Sequence, residues 1–267
     1  MTGMTFGMVE LAIAGILVLS CAAMSLAMSL GLHRQILVSA TRMVLQLWLI
    51  GLVLRTLFQS SNPVFTAALL AAMVGAATYE VGARQKRRVQ GIWHVLISGA
   101  AVSISTIFIA AFALATLATT EDWTSQRVII PITGIILGTS MNSASIALNT
   151  LLSTISNERA AIEAQLALGY SKRKAVTPIM RRAIHAGAIP IINQMAGAGI
   201  ITLPGIMSGQ ILAGQDPMSA ARSQIFLMFL LCGASVASIF IAAVLGLNRL
   251  TDERHRLRLD RLDPRNG

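Results

Sequence analysis

Amide and hydroxyl side chains form a stripe within a long apolar segment, and their spacing suits the binding of a polar group. At 100° per residue in a helix, five of them fall within about 80° of arc: Asn142, Ser145, Asn149, Ser153 and Ser156. Inside a membrane such groups hydrogen-bond a neighbouring helix or a polar substrate. We interpret Asn142, Ser145 and Asn149 as candidate residues of a translocation path.

A second stripe places a guanidinium beside two amides. Four residues lie within about 60° of one helical face: Gln35, Ser39, Arg42 and Gln46. An arginine within a membrane helix must face a cavity or a partner. Arg42 and Gln46 therefore either line the path or form interhelical hydrogen bonds, with Arg42 reaching toward the interface. In the path, the positive charge of Arg42 would favour an anionic substrate over a bare cation.

Sulfur-containing residues also share helical faces, with Cys21, Met24 and Met28 on one segment and Met228 and Cys232 on another. Soft ligands suit transition metals, but a chain with 13 Met produces such faces through ordinary core packing. None of the four histidines has ligand spacing with another: His33, His94, His185 and His255. The sequence predicts no cofactor and no catalytic residue, and it leaves metal ligands unassigned.

The sequence contains no energy-coupling chemistry of its own. Glu10 and Glu80 lie at the ends of apolar segments, so no carboxylate relay crosses the predicted membrane interior. The chain also has no GxxxxGK[ST] loop to hold nucleotide phosphates. A transporter of this kind must use energy from a partner or run downhill, and we do not expect an enzyme.

The elements that must position these residues are membrane helices. Of 267 residues, 55% are hydrophobic and 12% are charged, against about 25% charged in a globular domain. With about 20 apolar residues per crossing, the predicted class is an all-α, polytopic integral membrane protein of about seven spans. The predicted spans are Met8 to Leu32, Ile36 to Phe58, Val64 to Ala83, Ile92 to Ala118, Val128 to Leu152, Ile184 to Leu203 and Gln224 to Leu247.

Charge sets the expected orientation. Four bases and no acid lie in residues 84–88, and six bases lie between the fifth and sixth spans. The positive-inside rule then places the amino terminus outside and the carboxyl terminus in the cytoplasm. The net charge of +10 is explained by these loops rather than by nucleic-acid binding. We expect a transmembrane domain over residues 1–247, in contact with lipid, and a charged cytoplasmic tail over residues 248–267.

The connection of residues 153–183 is long and contains residues typical of the beginning and end of a helix. Asn157 can cap a helix, Arg159 and Glu163 are four apart, and Gly169 suits a helix end. These signals predict a short cytoplasmic helix of about three turns.

Prolines and small residues mark the later spans. Pro190 lies inside the predicted sixth span and Pro204 ends it, which indicates interrupted helices. Small residues four apart, at Gly134 and Gly138 and again within residues 205–209, mark either a subunit interface or packing within one chain.

The segment Glu-Ala-Gln-Leu-Ala-Leu-Gly of residues 163–169, followed after nine residues by Ile179, resembles the EAA loop by which ABC-transporter permeases engage their ATPase subunits. The resemblance implies a coupling helix in which Glu163, Ala164 and Gly169 match the motif. Ile162 and Leu166, four apart, would fill a groove on the ATPase.

Longer segments are similar to the FetB-type (UPF0014) permease family. They are Ile-Pro-Ile-Ile-Asn-Gln-Met at 189–195, Leu-Pro-Gly-Ile-Met-Ser-Gly-Gln-Ile-Leu-Ala-Gly at 203–214, Asp-Pro at 216–217, and parts of 42–47 and 141–145. That family includes permeases assigned to iron export and plant aluminium-tolerance permeases.

The resemblance implies a homodimeric permease in the bacterial inner membrane with separate cytoplasmic ATPase subunits. It would export iron or another metal, free or chelated, and Asn193 would lie in the path. Alternatives are a non-transporting scaffold or regulatory subunit and a passive channel.

Overall fold

The computed structural model describes residues 7–60, 62–117, 125–252 and 256–263, and 84% of it is helical. In these ranges the α-helices are α1 (Met8–Ala27), α2 (His33–Ser60), α3 (Pro63–Ala83), α4 (Trp93–Leu117), α5 (Gln126–Asn157), α6 (Arg159–Ala167), α7 (Lys172–Gly197), α8 (Gly205–Leu212) and α9 (Pro217–Leu250). Two short strands, β1 (Arg88–Val89) and β2 (Leu262–Asp263), complete the described elements with a 3-10 turn at Leu259–Arg261. The predicted all-α membrane class is confirmed.

Six of the described helices are long and apolar enough to cross a membrane, namely α1 to α5 and α9. They correspond to the predicted first five spans and the seventh. The predicted sixth span overlaps α7, whose first half is rich in Lys and Arg and which is not among the six. The count of seven spans therefore stays a prediction.

The boundaries of α1 and α7 differ from the predicted spans. α1 ends at Ala27 rather than at Leu32, because the backbone turns through positive φ at Ser29 (54°) and Gly31 (70°). α7 continues through Pro190 without a break and ends at Gly197, so Pro204 caps α8 and does not end α7. The expected interruption at Pro190 was wrong.

The chain divides into two compact units, residues 1–63 and 64–267. In the first unit α1 packs against α2, and most apolar side chains are exposed, Trp48 among them at 71%. Apolar side chains on the outside of a spanning hairpin are suited to contact with lipid or protein rather than water.

In the second unit, α5 is the central helix and packs against α4, α7 and α9. The close packing of α7 against α5 and α9 depends on Gly187. A Cβ built there would lie 3.0 Å from the Ala147 Cβ, from the Ile239 Cγ1 and from the Ser143 carbonyl oxygen. Only a hydrogen at position 187 lets α7 meet α5 and α9 at this distance.

The carboxyl-terminal segment folds back onto the second unit. β2 pairs antiparallel with β1, with Leu262 opposite Val89, and both side chains are buried with Leu250 in one hydrophobic cluster. α9 continues three residues past the predicted end of the span at 247. The described part of the predicted tail is therefore packed against the core rather than extended into solvent, while His255 and residues 264–267 lie outside the described ranges.

Candidate functional site

A half-open pocket of about 160 Å³ lies between α5 and α7. It is lined by amides, hydroxyls and apolar groups: Gly138, Thr139, Asn142, Ser143, Pro190, Ile191 and Gln194. The hydroxyl of Thr139 donates to the carbonyl of Ile135 at 2.9 Å, so its oxygen can still accept a hydrogen bond. The lining can bind a neutral or hydrated polar group through donors and acceptors, without a formal charge.

Two glycines shape this pocket. α5 and α7 are held close at Gly187, and the pocket lies next to this contact, toward the beginning of α5 and the end of α7. At Gly138 an added Cβ would meet nothing within 4 Å, so its missing side chain leaves open space between the helices. Pro190 also lacks the N–H that would bond the carbonyl of residue 186, which leaves a polar acceptor in the helix wall.

The predicted stripe on α5 is divided by the tertiary structure. Asn142 lines the pocket, whereas Ser145 is buried at 5% exposure and is not among the pocket residues. The Asn149 Oδ1 accepts a hydrogen bond from the backbone N–H of Lys86 at 3.1 Å. Asn149 therefore attaches α5 to the segment between α3 and α4, and Asn193 is exposed on α7 beside Gln194.

Arg42 and Gln46 lie along an open groove on α2 in the first unit, with Leu37, Val38, Thr41 and Leu45. The groove is mostly apolar. Because α2 and α5 belong to different compact units, a path formed jointly by the second and fifth spans stays a prediction.

Sequence reasoning did not assign Thr139, Ser143 or Gln194 to the site. On a helical wheel, the centre of the pocket face of α5 lies about 50° from the centre of the predicted stripe, and Asn142 belongs to both faces. One local feature could have indicated Gln194, since it lies four residues after Pro190 and so shares a face of α7 with it.

Two buried hydroxyls on α5, one of them in the pocket lining, add polar groups to the interior of the bundle. The Ser143 Oγ donates to the Ser235 Oγ of α9 at 3.0 Å, inside the bundle. Ser140 is fully buried, and its hydroxyl has no partner among the described residues. These small hydroxyls let helices approach closely while keeping hydrogen-bonding groups between them.

The loop between α5 and α7 contains a helix where one was predicted. α5 extends through Asn157, so Asn157 does not cap α6, and the cap position is Glu158. At the other end Gly169 has φ of 85°. The N–H of Gly169 bonds the Leu166 carbonyl and that of Tyr170 bonds the Gln165 carbonyl, which is a Schellman motif. The predicted stop at Gly169 and the ion pair between Arg159 and Glu163 (2.8 Å) are confirmed.

α6 is attached to the core through its apolar side. Ile162 is 2% exposed and lies in the same cluster as Val176 and Ile179 of α7, and Leu166 packs against that cluster. Ile162 therefore cannot fill a groove on a partner in this conformation, because its side chain already packs inside the chain. Glu163 and Ala164 are exposed.

An ion pair also joins the start of α6 to α7. Arg182 donates from Nη1 and Nη2 to the two carboxylate oxygens of Glu158, at 2.6 and 2.7 Å. These hydrogen bonds lower the pKa of Glu158 and raise the pKa of Arg182. The two-pronged geometry fixes direction as well as distance.

The sulfur faces have different environments. Met228 is buried in an apolar cluster and Cys232 packs against it, whereas Met24 is 62% exposed. Among the described residues, no group of three or more His, Cys, Asp or Glu side chains is placed to hold a metal ion. Core packing accounts for the face on α9.

The small-residue pairs also differ. A Cβ at Gly134 would lie 3.1 Å from the Met73 Cε, so Gly134 serves packing between α3 and α5. At Gly205 and Gly209 nothing lies within 4 Å of an added Cβ. That pair is not used for packing among the described residues of this chain.

Comparison with known proteins gives a consistent group of relatives. A family model described as "Uncharacterised protein family (UPF0014)" matches residues 8–251. The chain is 38% identical to "UPF0014 membrane protein slr1647" of Synechocystis over 76% of this chain and 77% of the relative. It is 31% identical to "Protein ALUMINUM SENSITIVE 3" of Arabidopsis thaliana, over 87% and 83% of the two chains.

It is also 30% identical to the "Probable iron export permease protein FetB" of Escherichia coli, over 93% of each chain. No solved structure was found to match the chain.

Proposed function

Because the chain belongs to the UPF0014 family of membrane proteins, we propose that it is the permease subunit of an ABC transporter that exports iron. A separate cytoplasmic ATPase would supply the energy, and two copies of the chain would form the membrane core in the bacterial inner membrane. Iron is proposed because a relative that matches over 93% of both chains is named a probable iron export permease.

The proposed partnership with an ATPase is supported by the way in which α6 is attached to the rest of the chain. Ile162 and Leu166 fasten one side of the helix to the core, and the two hydrogen bonds between Glu158 and Arg182 fasten its start to α7. A force applied to α6 is therefore transmitted to α7, since the contacts are packed and directional.

The surface that remains available on α6 suits a protein partner. Glu163 and Ala164 are exposed, and the Schellman turn presents Leu168 at 79% exposure. Beside it the Lys174 Nζ lies 4.6 Å from the centre of the Tyr170 ring. An exposed leucine next to a fixed aromatic ring and flanking charges resembles the apolar centre and polar rim of an interface. In this proposal Leu168 and Tyr170, rather than Ile162, contact the ATPase.

α7 also connects this surface to the pocket. The helix begins beside α6 at Lys172 and carries Pro190, Ile191 and Gln194 into the pocket wall. Movement of α7 against α5 would change the spacing between Gln194 and Asn142. We propose that this pocket is a polar station on the export path, with Ser145, Asn149 and Asn193 near it on the same two helices.

The experiment compares two glycines in the same backbone setting. Gly169 and Gly214 both follow a helix with positive φ, 85° and 88°, both complete a Schellman motif, and neither has an atom within 4 Å of an added Cβ. Valine at either position meets the same left-handed strain, about 1–2 kcal/mol. Gly214→Val is therefore a matched control for Gly169→Val.

The readouts are copurification with the ATPase, ATPase stimulation, and ATP-dependent iron flux in proteoliposomes. Gly169→Val should reduce stimulation and flux together at least tenfold, whereas Gly214→Val should retain most of both. Equal losses in the two variants, or flux at the wild-type rate with Gly169→Val, would contradict coupling through α6.

Flux and binding measurements on the wild-type protein distinguish the alternative functions. Iron flux that needs no ATP would indicate a passive channel. Stable ATPase binding without flux of iron or its chelates would indicate a scaffold or regulatory subunit.

The form of the cargo is tested at Arg42. If its positive charge lies in the path, Arg42→Gln should weaken transport of an iron–citrate complex and spare movement of free Fe²⁺. The opposite order would contradict export of an anionic chelate.

A further inference from the structure

A cluster of arginines lies at the end of the second unit where α4 begins and α9 ends. Arg249 is in the last turn of α9, and its guanidinium carbon lies 4.4 Å from the centre of the ring of Trp93, the first residue of α4. Both helices are candidate membrane spans. The stacked pair therefore marks the level at which two spans leave the apolar interior, where tryptophan is enriched.

The carboxyl-terminal segment brings a second guanidinium to this place. Arg261 precedes β2, and its Nη1 donates to the backbone carbonyl of Arg249 at 2.9 Å. Its position is fixed because Leu262 is 6% exposed in the core and the carbonyl of Arg261 accepts the N–H of Gln90 at 2.7 Å. The guanidinium of Arg261 is thus held against the end of α9, at the residue whose own guanidinium stacks on Trp93.

Two carboxylates of this region, those of Asp260 and Asp252, are paired with other arginines. Asp260 accepts two hydrogen bonds from Arg258, at 2.9 and 2.8 Å, and Asp252 lies 3.4 Å from Arg256. No carboxylate whose side chain the structure describes lies within salt-bridge distance of Arg249 or Arg261. The charge on Arg249 is repelled by Arg261 and Arg258 and is attracted more weakly by Asp260. The cluster therefore has an excess of positive charge held in place.

Arg249 also has a donor that its surroundings do not satisfy. Its Nε is buried, and it has no hydrogen-bond acceptor among the described residues. A buried donor of a charged group without an acceptor is costly. An anion that reached Nε would remove that cost and the repulsion between guanidinium groups together.

We propose that this cluster is a binding site for a phosphate group, held by Arg249 and Arg261 against Trp93. The guanidinium is the side chain whose planar donors match phosphate oxygens in pairs. The cluster lies at the end of two candidate spans, where the headgroups of phospholipids are located. Basic clusters beside membrane helices attract anionic lipids, so the phosphate of an acidic phospholipid is a suitable ligand. Free phosphate has the same chemistry, and the experiment separates the two sources.

The test uses purified, delipidated full-length protein in a neutral detergent. The thermal midpoint is measured during titration with phosphatidylglycerol, phosphatidylcholine or inorganic phosphate, and bound lipids are counted by native mass spectrometry. Wild-type protein should respond to phosphatidylglycerol with saturation and not to phosphatidylcholine. Arg249→Gln should weaken the apparent affinity at least tenfold.

Arg222→Gln is the matched control, because Arg222 is an exposed arginine on the same helix, near its other end. It should bind phosphatidylglycerol as wild type does. A wild-type response to inorganic phosphate equal to that for phosphatidylglycerol, lost in Arg249→Gln, would support the site with free phosphate as ligand. Equal responses of wild type and Arg249→Gln, or equal responses to the two lipids, would overturn the proposal.

A measurement on wild-type protein alone keeps the proposal testable if Arg249→Gln fails to fold. Binding at Arg261 should slow amide hydrogen exchange in residues 256–263, which are attached to the core by β2. Slower exchange there with phosphatidylglycerol or phosphate, and not with phosphatidylcholine, is expected. Exchange that is unchanged at saturating ligand would refute a site that includes Arg261.

Discussion

The close contact at Gly187 predicts that a single methyl group will loosen the bundle. In Gly187→Ala the new Cβ would lie 3.0 Å from three atoms on α5 and α9, one of which is a backbone oxygen. Carbon atoms pack best at about 3.5–4.0 Å, so the helices must separate by several tenths of an ångström. Overpacking of this kind costs about 1–3 kcal/mol, while alanine gains about 1 kcal/mol in helix propensity.

Gly75→Ala provides the reference, because Gly75 is inside α3 and an added Cβ there meets nothing within 4 Å. The propensity gain is the same in both variants and cancels in their difference. We therefore expect Gly187→Ala to be less stable than Gly75→Ala by about 1–3 kcal/mol, a ratio of about 5 to 150 in the unfolding constant.

Unfolding by sodium dodecyl sulfate in mixed micelles, followed by near-UV circular dichroism, measures this difference. Two variants that unfold within about 0.5 kcal/mol of each other would refute the account of α7 packing, since about 1 kcal/mol is the smallest overpacking cost expected.

Three other perturbations address membrane orientation, the attachment of α5 and the ion pair at α6. In intact cells an impermeant thiol reagent should modify Asp216→Cys and not Arg173→Cys; the reverse pattern would invert the topology. Asn149→Leu should lower the free energy of unfolding by about 0.5–1.5 kcal/mol, because it removes the acceptor of a backbone N–H. Loss of transport with unchanged stability would instead indicate that Asn149 acts in the translocation path. Because Arg182 lowers the pKa of Glu158 below its usual 4.5, their pair stabilises the fold above about that pH and is lost as pH falls through the folded pKa. Unfolding midpoints from about pH 6 to about pH 3 should show a small acid-side loss that Glu158→Gln lacks; identical profiles would mean that the pair contributes nothing.

Local patterns in the sequence determined most of the helices. Hydropathy predicted the six apolar helices to within a few residues at most ends, because burial in hydrocarbon depends on composition over a stretch of chain. The stop at Gly169 and the pair of Arg159 with Glu163 were also predictable, since both depend on residues within one helical turn. The family resemblance likewise came from linear motifs, and the match over residues 8–251 confirms it.

Tertiary structure decided which side chains form the candidate site. Asn142 and Asn149 share a stripe, yet one lines a pocket with α7 and the other holds the backbone of Lys86. Ile162 looked available to a partner and is buried against α7 instead. A helical face specifies only a direction from the axis, and the group met in that direction depends on which helix packs there. That choice follows from close approaches such as the one at Gly187, between residues far apart in the chain.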